Sequence, residues 1–286
     1  MKYAVIESYQ TEFKVTMMCR LLEVSRSGFY RWLSRAPSVL AQRRALISNA
    51  VVSVYHQFKK RYGSRRIAVE LNEQAIPCSV NHVAKLLKEN DLKARNGKKF
   101  KYSPSIEAAT NVADNLLNRQ FKVETPNLKW VSDITYIKVG KEWLYLAVVM
   151  DLYSRKVVGW AVDNHMRESL IIDAFEMATS LRELKEDALI HSDRGVQYRG
   201  NHYQQILLDN KIQCSMSRKG NCWDNAAMEA FFGRLKVELI YAENYKTVDE
   251  ARAGIFEYIE LFYNRVRRHS ALGYKSPVEF EEKPNG

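Results

Sequence analysis

The sequence predicts an α/β protein, a mixed-sheet core preceded by small all-α domains of helix-turn-helix type. Three observations carry that prediction. The first hundred residues run in helical periods broken by cap and turn signals. From Leu128 the grammar changes to alternation with period two, rich in β-branched and aromatic residues. After Asp163, amphipathic helical stretches alternate with short apolar strands.

In the front part, "KVTMMCRLLEVSRSGFYRWLSR" carries Met18, Leu21 and Leu22 on one helical face. A break at Val24-Ser25 follows, then Phe29, Trp32 and Leu33 on a second face. Ser25 is a natural N-cap for that second helix. A longer basic helix, "AQRRALISNAVVSVYHQFKKRYG", is expected to run to Gly63. The next helix ends near Gln74, Pro77 blocks its continuation, and Ser79 caps another. In that last helix Val80, Val83, Ala84 and Leu87 are expected inward, leaving Asn81, His82, Lys85 and Lys88 outward. Two helices so spaced suit a helix-turn-helix whose second member enters a major groove, with Arg65 and Arg66 on the first. The stretch "RNGKKFKYSPS", with Lys98 and Lys99, reads as a basic linker able to lie along phosphates.

The core begins with "LKWVSDITYIKV", where Val131, Asp133, Thr135 and Ile137 share one face of a strand. "KEWLYLAVVMDL" and "KVVGWAVD" complete an antiparallel meander. "ESLIIDAFEMATSLRE" is a helix with Leu170, Ile171, Phe175 and Ala178 inward. "DALIHSD" and "IQCSMS" are short strands flanking the helix "NHYQQILLDNK". A loop, "RKGNCWDN", leads into the long helix "AAMEAFFGRLKVELI", whose core stripe is Met228, Phe231, Phe232, Leu235 and Leu239. The predicted divisions are residues 1–37, 38–94, a linker 95–124, the core 125–243 and a helical tail 244–286.

At 286 residues and 46% hydrophobic the chain can bury a sizeable core. Its four cysteines form no C-x-x-C pair and no zinc spacing, so reduced thiols in a cytoplasmic protein are expected. The longest apolar run, Trp143 to Met150, is too short to span a bilayer, and no signal-peptide core is visible. The net charge of +11 is unevenly spread. Residues 1–101 hold 20 Lys/Arg against 7 Asp/Glu, and the remainder 24 against 26. That asymmetry fits a chain that grips a polyanion with one part and works on it with another.

If the first and fourth strands are neighbours, Asp133 and Asp193 converge at one edge, and Glu229 on the closing helix supplies a third acid. Gly233 and Lys236 share the face of Glu229. Converging carboxylates repel unless cations are present, and oxygen-only ligation suits Mg²⁺ or Mn²⁺. Two such ions can activate a water or hydroxyl and stabilise the leaving oxygen of a phosphodiester.

"WVSDITYI", "HSDRGVQY" and "GNCWDNAAMEAFFGRLKVE" resemble the three motifs of DDE transposases and retroviral-type integrases, which share an RNase H-like fold. The 35 residues between Asp193 and Glu229 match the spacing of that group. "YGSRRIAVELNEQAIPCSVNHVAKLLKE" and "YNRVRRHSALGYKSPVEF" resemble the OrfB part of insertion-sequence transposases of the IS-three family, so the resemblance spans nearly the whole chain. It implies that Asp133, Asp193 and Glu229 bind two divalent ions and that Lys236 touches DNA near the cleavage point. It implies 3′-end cleavage and strand transfer at the element's terminal inverted repeats into target DNA, through a circular intermediate. The implied partners are a second copy at least, since two ends must be synapsed, and an upstream OrfA product. The implied setting is the bacterial nucleoid, with no membrane. Two rival readings are a metal nuclease that does not join strands and a non-catalytic DNA-binding regulator using only the basic front.

Other polar residues have plainer expectations. Asp151 is read as a cap of the hairpin turn, and His191 as a hydrogen-bonded core or rim histidine. Trp223 either stacks on an unpaired base or packs as a hinge. Asp224 is read as the N-cap of the Glu229 helix. Arg265, Arg267, Arg268 and His269 are read as phosphate contacts, with Arg267 and Arg268 foremost.

Overall fold

The computed structural model describes residues 2–95, 112–218 and 222–283, with the side chains of Cys222 and Trp223 left out. Lys98, Lys99 and the question of how Trp223 is used therefore lie outside the described residues. The chain forms two compact units. One comprises residues up to Lys59 together with Gly63–Leu92, the other Lys60–Tyr62 and the chain from Lys93 onward.

The first unit is helical: α1 (Lys2–Tyr9), α2 (Val15–Leu21), α3 (Arg26–Leu33), α4 (Val39–Gln57), α5 (Ser64–Glu73) and α6 (Val80–Glu89). Ile6, Met18, Cys19 and Phe29 make the small core of α1–α3. Ser25 and Ser79 cap as expected, accepting the N–H of Gly28 and of His82. Three expectations are corrected. Leu21, Trp32 and Leu33 are exposed, because three short helices bury only one residue or two apiece. The buried face of α6 is Val83, Leu86 and Leu87, while Val80 and Ala84 face out. And α4 stops at Gln57, six residues before Gly63. Lys59 and Lys60 take left-handed backbone (φ 49° and 64°), and Arg61 and Tyr62 are buried in the second unit. Burial of that aromatic and its cationic neighbour outweighs continued helix.

The second unit contains β1 (Lys129–Val139), β2 (Glu142–Asp151), β3 (Val157–Asp163), α7 (Glu168–Leu181), β4 (Leu189–Ser192), α8 (Asn201–Asp209), β5 (Gln213–Met216), α9 (Ala226–Leu235), α10 (Val248–Phe256) and α11 (Pro277–Glu282). Among the described residues one sheet forms, in the order β3-β2-β1-β4-β5. The meander is antiparallel, and β4 and β5 join in parallel. Trp130, Ala147, Val149 and Ile190 from the sheet pack with Phe175 of α7 and Tyr203 and Leu207 of α8. Gly159 lets α7 lie against β3, for a Cβ there would strike the backbone of Ala174 and Ala178. α9 runs on as a π-helical segment, Lys236–Ile240, and α10 as another, Glu257–Tyr263. No described helix is long and apolar enough to cross a membrane, and Cys19, Cys78 and Cys214 are free thiols.

Candidate active site

β1 and β4 are parallel neighbours with Val131 opposite His191. Side chains alternate along strands, so two residues further on Asp133 and Asp193 leave the sheet on the same side. This is also the carboxyl end of a parallel pair, where open α/β sheets place ligands. Along β1, β4 pairs with Lys129–Val131 alone, which leaves that edge of β1 without a strand partner beyond that point. α9 packs there, and the Asn225 amide just before it donates to the Ser132 carbonyl at 3.5 Å. The expected stripe of Met228, Phe231, Phe232, Leu235 and Leu239 is buried, turning Glu229 outward on the same helix.

The electrostatics record the convergence. Burial pushes the Asp133 carboxyl well above the usual range, and the charges of Asp193 and Glu229 push it further. The Ile134 N–H, donating at 2.8 Å, and the Lys236 ammonium oppose the rise. Burial likewise raises Asp193, against the Gly195 N–H at 2.8 Å and the charge of Arg199. Glu229 is raised by burial. Lys236 is lowered by burial and partly restored by Asp133, and its Nζ lies 5.0 Å from the centre of the Tyr136 ring. Among the described residues nothing outside the helix's own backbone stands within 4 Å of where a Cβ on Gly233 would be.

Tyr198, not singled out from the sequence, lies behind the two aspartates. Its buried hydroxyl is 3.0 Å from Ser132 Oγ. Burial and the charges of Asp133 and Asp193 hold its phenol well above the ordinary value, so it stays protonated. The only sequence signal was its place at the end of "HSDRGVQY".

Among the described residues no three His, Cys, Asp or Glu side chains are already grouped as a metal cage. Asp193 acts on Asp133 more strongly than Glu229 does. The donors are nonetheless all oxygen, with Asp133 pressed by the other two, which fits a hard divalent cation and not zinc.

The neighbouring polar residues have structural duties. His191 is fully buried between Ser215 Oγ (2.8 Å) and Ser217 Oγ (3.1 Å). Ser215 Oγ already accepts the N–H groups of Leu116 and Leu117, so its own proton goes to Nδ1 and the imidazole is neutral with hydrogen on Nε2. Burial lowers its pKa to about 4. Asp151 accepts the N–H of Asn127 (2.7 Å) and of Tyr153 (2.9 Å), closing the turn after β2. Asp224 does not cap α9. It is buried and accepts five hydrogen bonds, three from Arg218, one from Arg119 and one from Asn115. Two guanidinium groups outbid the helix N–H groups for its oxygens.

Of the expected DNA contacts, Asn81, Lys85 and Lys88 form an exposed i, i+4, i+7 stripe on α6, with His82 half-buried beside it. Arg65 is exposed and Arg66 half-buried on α5. Arg267 is corrected. It is 3% exposed, in a bidentate pair with Glu238 at 2.7 and 2.8 Å. A guanidinium so enclosed cannot reach a phosphate. Arg268 is turned inward too, to the Tyr274 carbonyl at 3.2 Å and Glu279 at 3.5 Å.

Two integrase core domain profiles match residues 123–222 and 210–277, and an HTH-like domain profile matches 41–100. The transposase InsF of insertion sequence IS3A from Escherichia coli (strain K12) is 42% identical over 285 residues, 99% of both chains. An IS600 31 kDa protein of Shigella sonnei is 40% identical over 93% of this chain and 98% of its own. Among solved structures, the HTLV-2 integrase catalytic core in complex with magnesium aligns with 54% of this chain and 95% of its own, at 21% identity and a TM-score of 0.41. A simian T-cell lymphotropic virus intasome chain aligns with 82% of this chain and 75% of its own, at 15% and 0.49. With near-complete coverage by InsF and an integrase core over its sheet, the chain belongs to the IS3-family transposases.

Proposed function

We propose that Asp133, Asp193 and Glu229 are the catalytic carboxylates of this transposase and that they hold divalent cations, Mg²⁺ or Mn²⁺, two per site. The observation that carries the reading is the electrostatic pressure that Asp193 and Glu229 place on Asp133 at the open edge of β1. Bound ions of this kind supply charge neutralisation and an activated oxygen nucleophile. The reaction is two successive displacements at phosphorus. In the first, water attacks the phosphodiester at the element end and a 3′ oxygen leaves as the free hydroxyl. In the second, that 3′-OH attacks a phosphodiester of the target strand, whose own 3′ oxygen leaves.

The chain's residues divide the labour. Tyr198 backs Asp133 and Asp193 from the buried side and keeps its proton. Lys236, beside Asp133, places a cation where a scissile phosphate would lie. The α6 stripe of Asn81, Lys85 and Lys88 reads or grips the terminal repeat, with Arg65 and Arg66, and Lys98 and Lys99 follow the phosphates. Residues 125–243 are the catalytic core, preceded by the helical segments 1–37 and 38–94 and the linker 95–124, and followed by the tail 244–286. At least two copies synapse the element ends in the bacterial cytoplasm, with an OrfA product as upstream partner.

The test is an assay on duplexes carrying the element's terminal repeat, with and without Mg²⁺. Metal-dependent 3′-end cleavage followed by joined product supports the reading. Cleavage without joining from pre-cleaved ends would indicate the nuclease, and binding with neither would indicate the regulator.

A further inference from the structure

The distal end of the β1–β2 hairpin carries two large aromatic side chains on one face. Tyr136 is 53% exposed and Trp143 44%. Their rings are 5.4 Å apart at 73°. Each has a lysine over it: Lys236 Nζ 5.0 Å from the Tyr136 centroid, Lys138 Nζ 5.9 Å from that of Trp143. Lys138 and Trp143 are direct cross-strand partners, but Lys236 comes from the continuation of α9. Lys236 also feels the charge of Asp133. Tyr136, Lys138 and Trp143 leave the face of the sheet opposite to Asp133, and Lys236 reaches from the open edge to both the Tyr136 ring and the charge of Asp133.

A cross-strand aromatic pair stabilises a hairpin by covering ring surface. Here about half of each residue stays in water and the flanking charges are cations, one recruited from another element. Exposed π-faces between cations are the physical signature of a seat for unpaired nucleotides, whose bases stack while their phosphates meet the lysines. Bases inside a duplex have no free face to offer. Tyr136 is three strand residues from Asp133, about 10 Å along the chain, and Lys236 spans the strand edge between them.

We infer that Tyr136, Trp143 and Lys138 form a binding subsite for an unpaired nucleotide of the DNA strand that enters the active site, within a few nucleotides of the cut. The inference rests on the reading of Asp133 as part of that active site. Its occupant is single-stranded DNA.

The test uses the full chain and a terminal-repeat duplex with a short single-stranded tail, 2-aminopurine replacing each of the three tail bases nearest the cut in turn. Binding is measured without divalent metal, so no chemistry intervenes. The wild type quenches the probe at one or two positions. Tyr136→Ala/Trp143→Ala loses the quench and binds the tailed duplex about tenfold more weakly or worse, with a smaller loss on blunt duplex. Tyr136→Phe retains both. Unchanged quench and affinity in the double variant would overturn the subsite. So would an altered sedimentation coefficient with quench intact, which would make the face a self-association surface. Should the double variant fail to fold, Lys138→Ala decides. It lowers the slope of log affinity against log salt by about 0.7 on the tail, and an unchanged slope overturns the assignment. Cleavage and joining by the wild type test the active-site reading separately. A chain that cuts and joins yet never quenches loses only the subsite.

Discussion

α9 is held at both ends by carboxylates whose charge is answered, and between them it presents one that is not. Before the helix, Asp224 takes five hydrogen bonds, and Arg218 and Arg119 hold it well below the usual carboxylate range. After it, Glu238 accepts two bonds from Arg267 and one from the Tyr258 hydroxyl, while its main-chain carbonyl takes Arg95 at 2.7 Å and Arg61 at 3.1 Å. In the middle Glu229 adds its charge to that of Asp193 on Asp133, and all three carboxyls are pushed upward. Asp151 lies between these extremes. Two backbone N–H groups hold it, yet burial still lifts it to about 6. The fold thus neutralises the acids it uses to fix the helix and leaves Asp133 under the charge of Asp193 and Glu229. Charge left in that condition is a preference for a cation that has to come from outside.

The largest test of that contrast is catalytic. Asp133→Asn, Asp193→Asn and Glu229→Gln are each expected to lower cleavage and joining by about 10³-fold or more, the worth of several kcal/mol of metal assistance. DNA affinity should stay nearly unchanged in a gel-shift titration. The fixing acids should respond in the opposite sense. Arg267→Met leaves Glu238 buried and unpaired, at a cost of about 3–5 kcal/mol in urea unfolding. Asp224→Asn costs less, because Arg119 and Arg218 are half-exposed and water can replace the lost partner. If Asp193→Asn lost as much stability as Arg267→Met, the distinction between the two kinds of acid would fail.

The intermediate case yields a pH profile. The Asp151 pKa is about 6 in the folded state against an ordinary value of 3.8 in the unfolded chain, so the folded chain binds that proton more readily. Its contribution to stability therefore rises as pH falls through 6 toward 3.8, by up to about 3 kcal/mol, and is lost as pH rises through 6. The stability difference between wild type and Asp151→Asn should change in that window with that sign, and a flat difference would remove the assignment. The mildest effect is metal linkage. Mg²⁺ at 100 times its dissociation constant is expected to stabilise the wild type by about 2.7 kcal/mol. Asp133→Asn and Asp193→Asn should show little of that gain by differential scanning fluorimetry.

Local signals carried much of this in the sequence. The alternation of "WVSDITYI" identified the face of Asp133, and the periodicity after Ala226 turned Glu229 away from the core. Ser25 and Ser79 were legible as caps because a cap is settled within three residues. The roles of Arg267 and Asp224 are not legible locally, because their partners lie far off in sequence. Glu238 is 29 residues from Arg267, and Arg119 is 105 from Asp224. An arginine in "NRVRRHS" looks the same whether it meets a phosphate or a buried glutamate.

By itself, then, the sequence determined the strand and helix periods, their caps and which elements carry the three acids, since each is set by neighbours along the chain. Only the tertiary structure decided that β4 lies beside β1 and stops at Ser192, so that α9 can close against the open edge. It also decided which charges find their partners inside the protein, as Arg267 and Asp224 do. That choice depends on burial and on partners brought together from distant parts of the chain, and neither is written in local spacing.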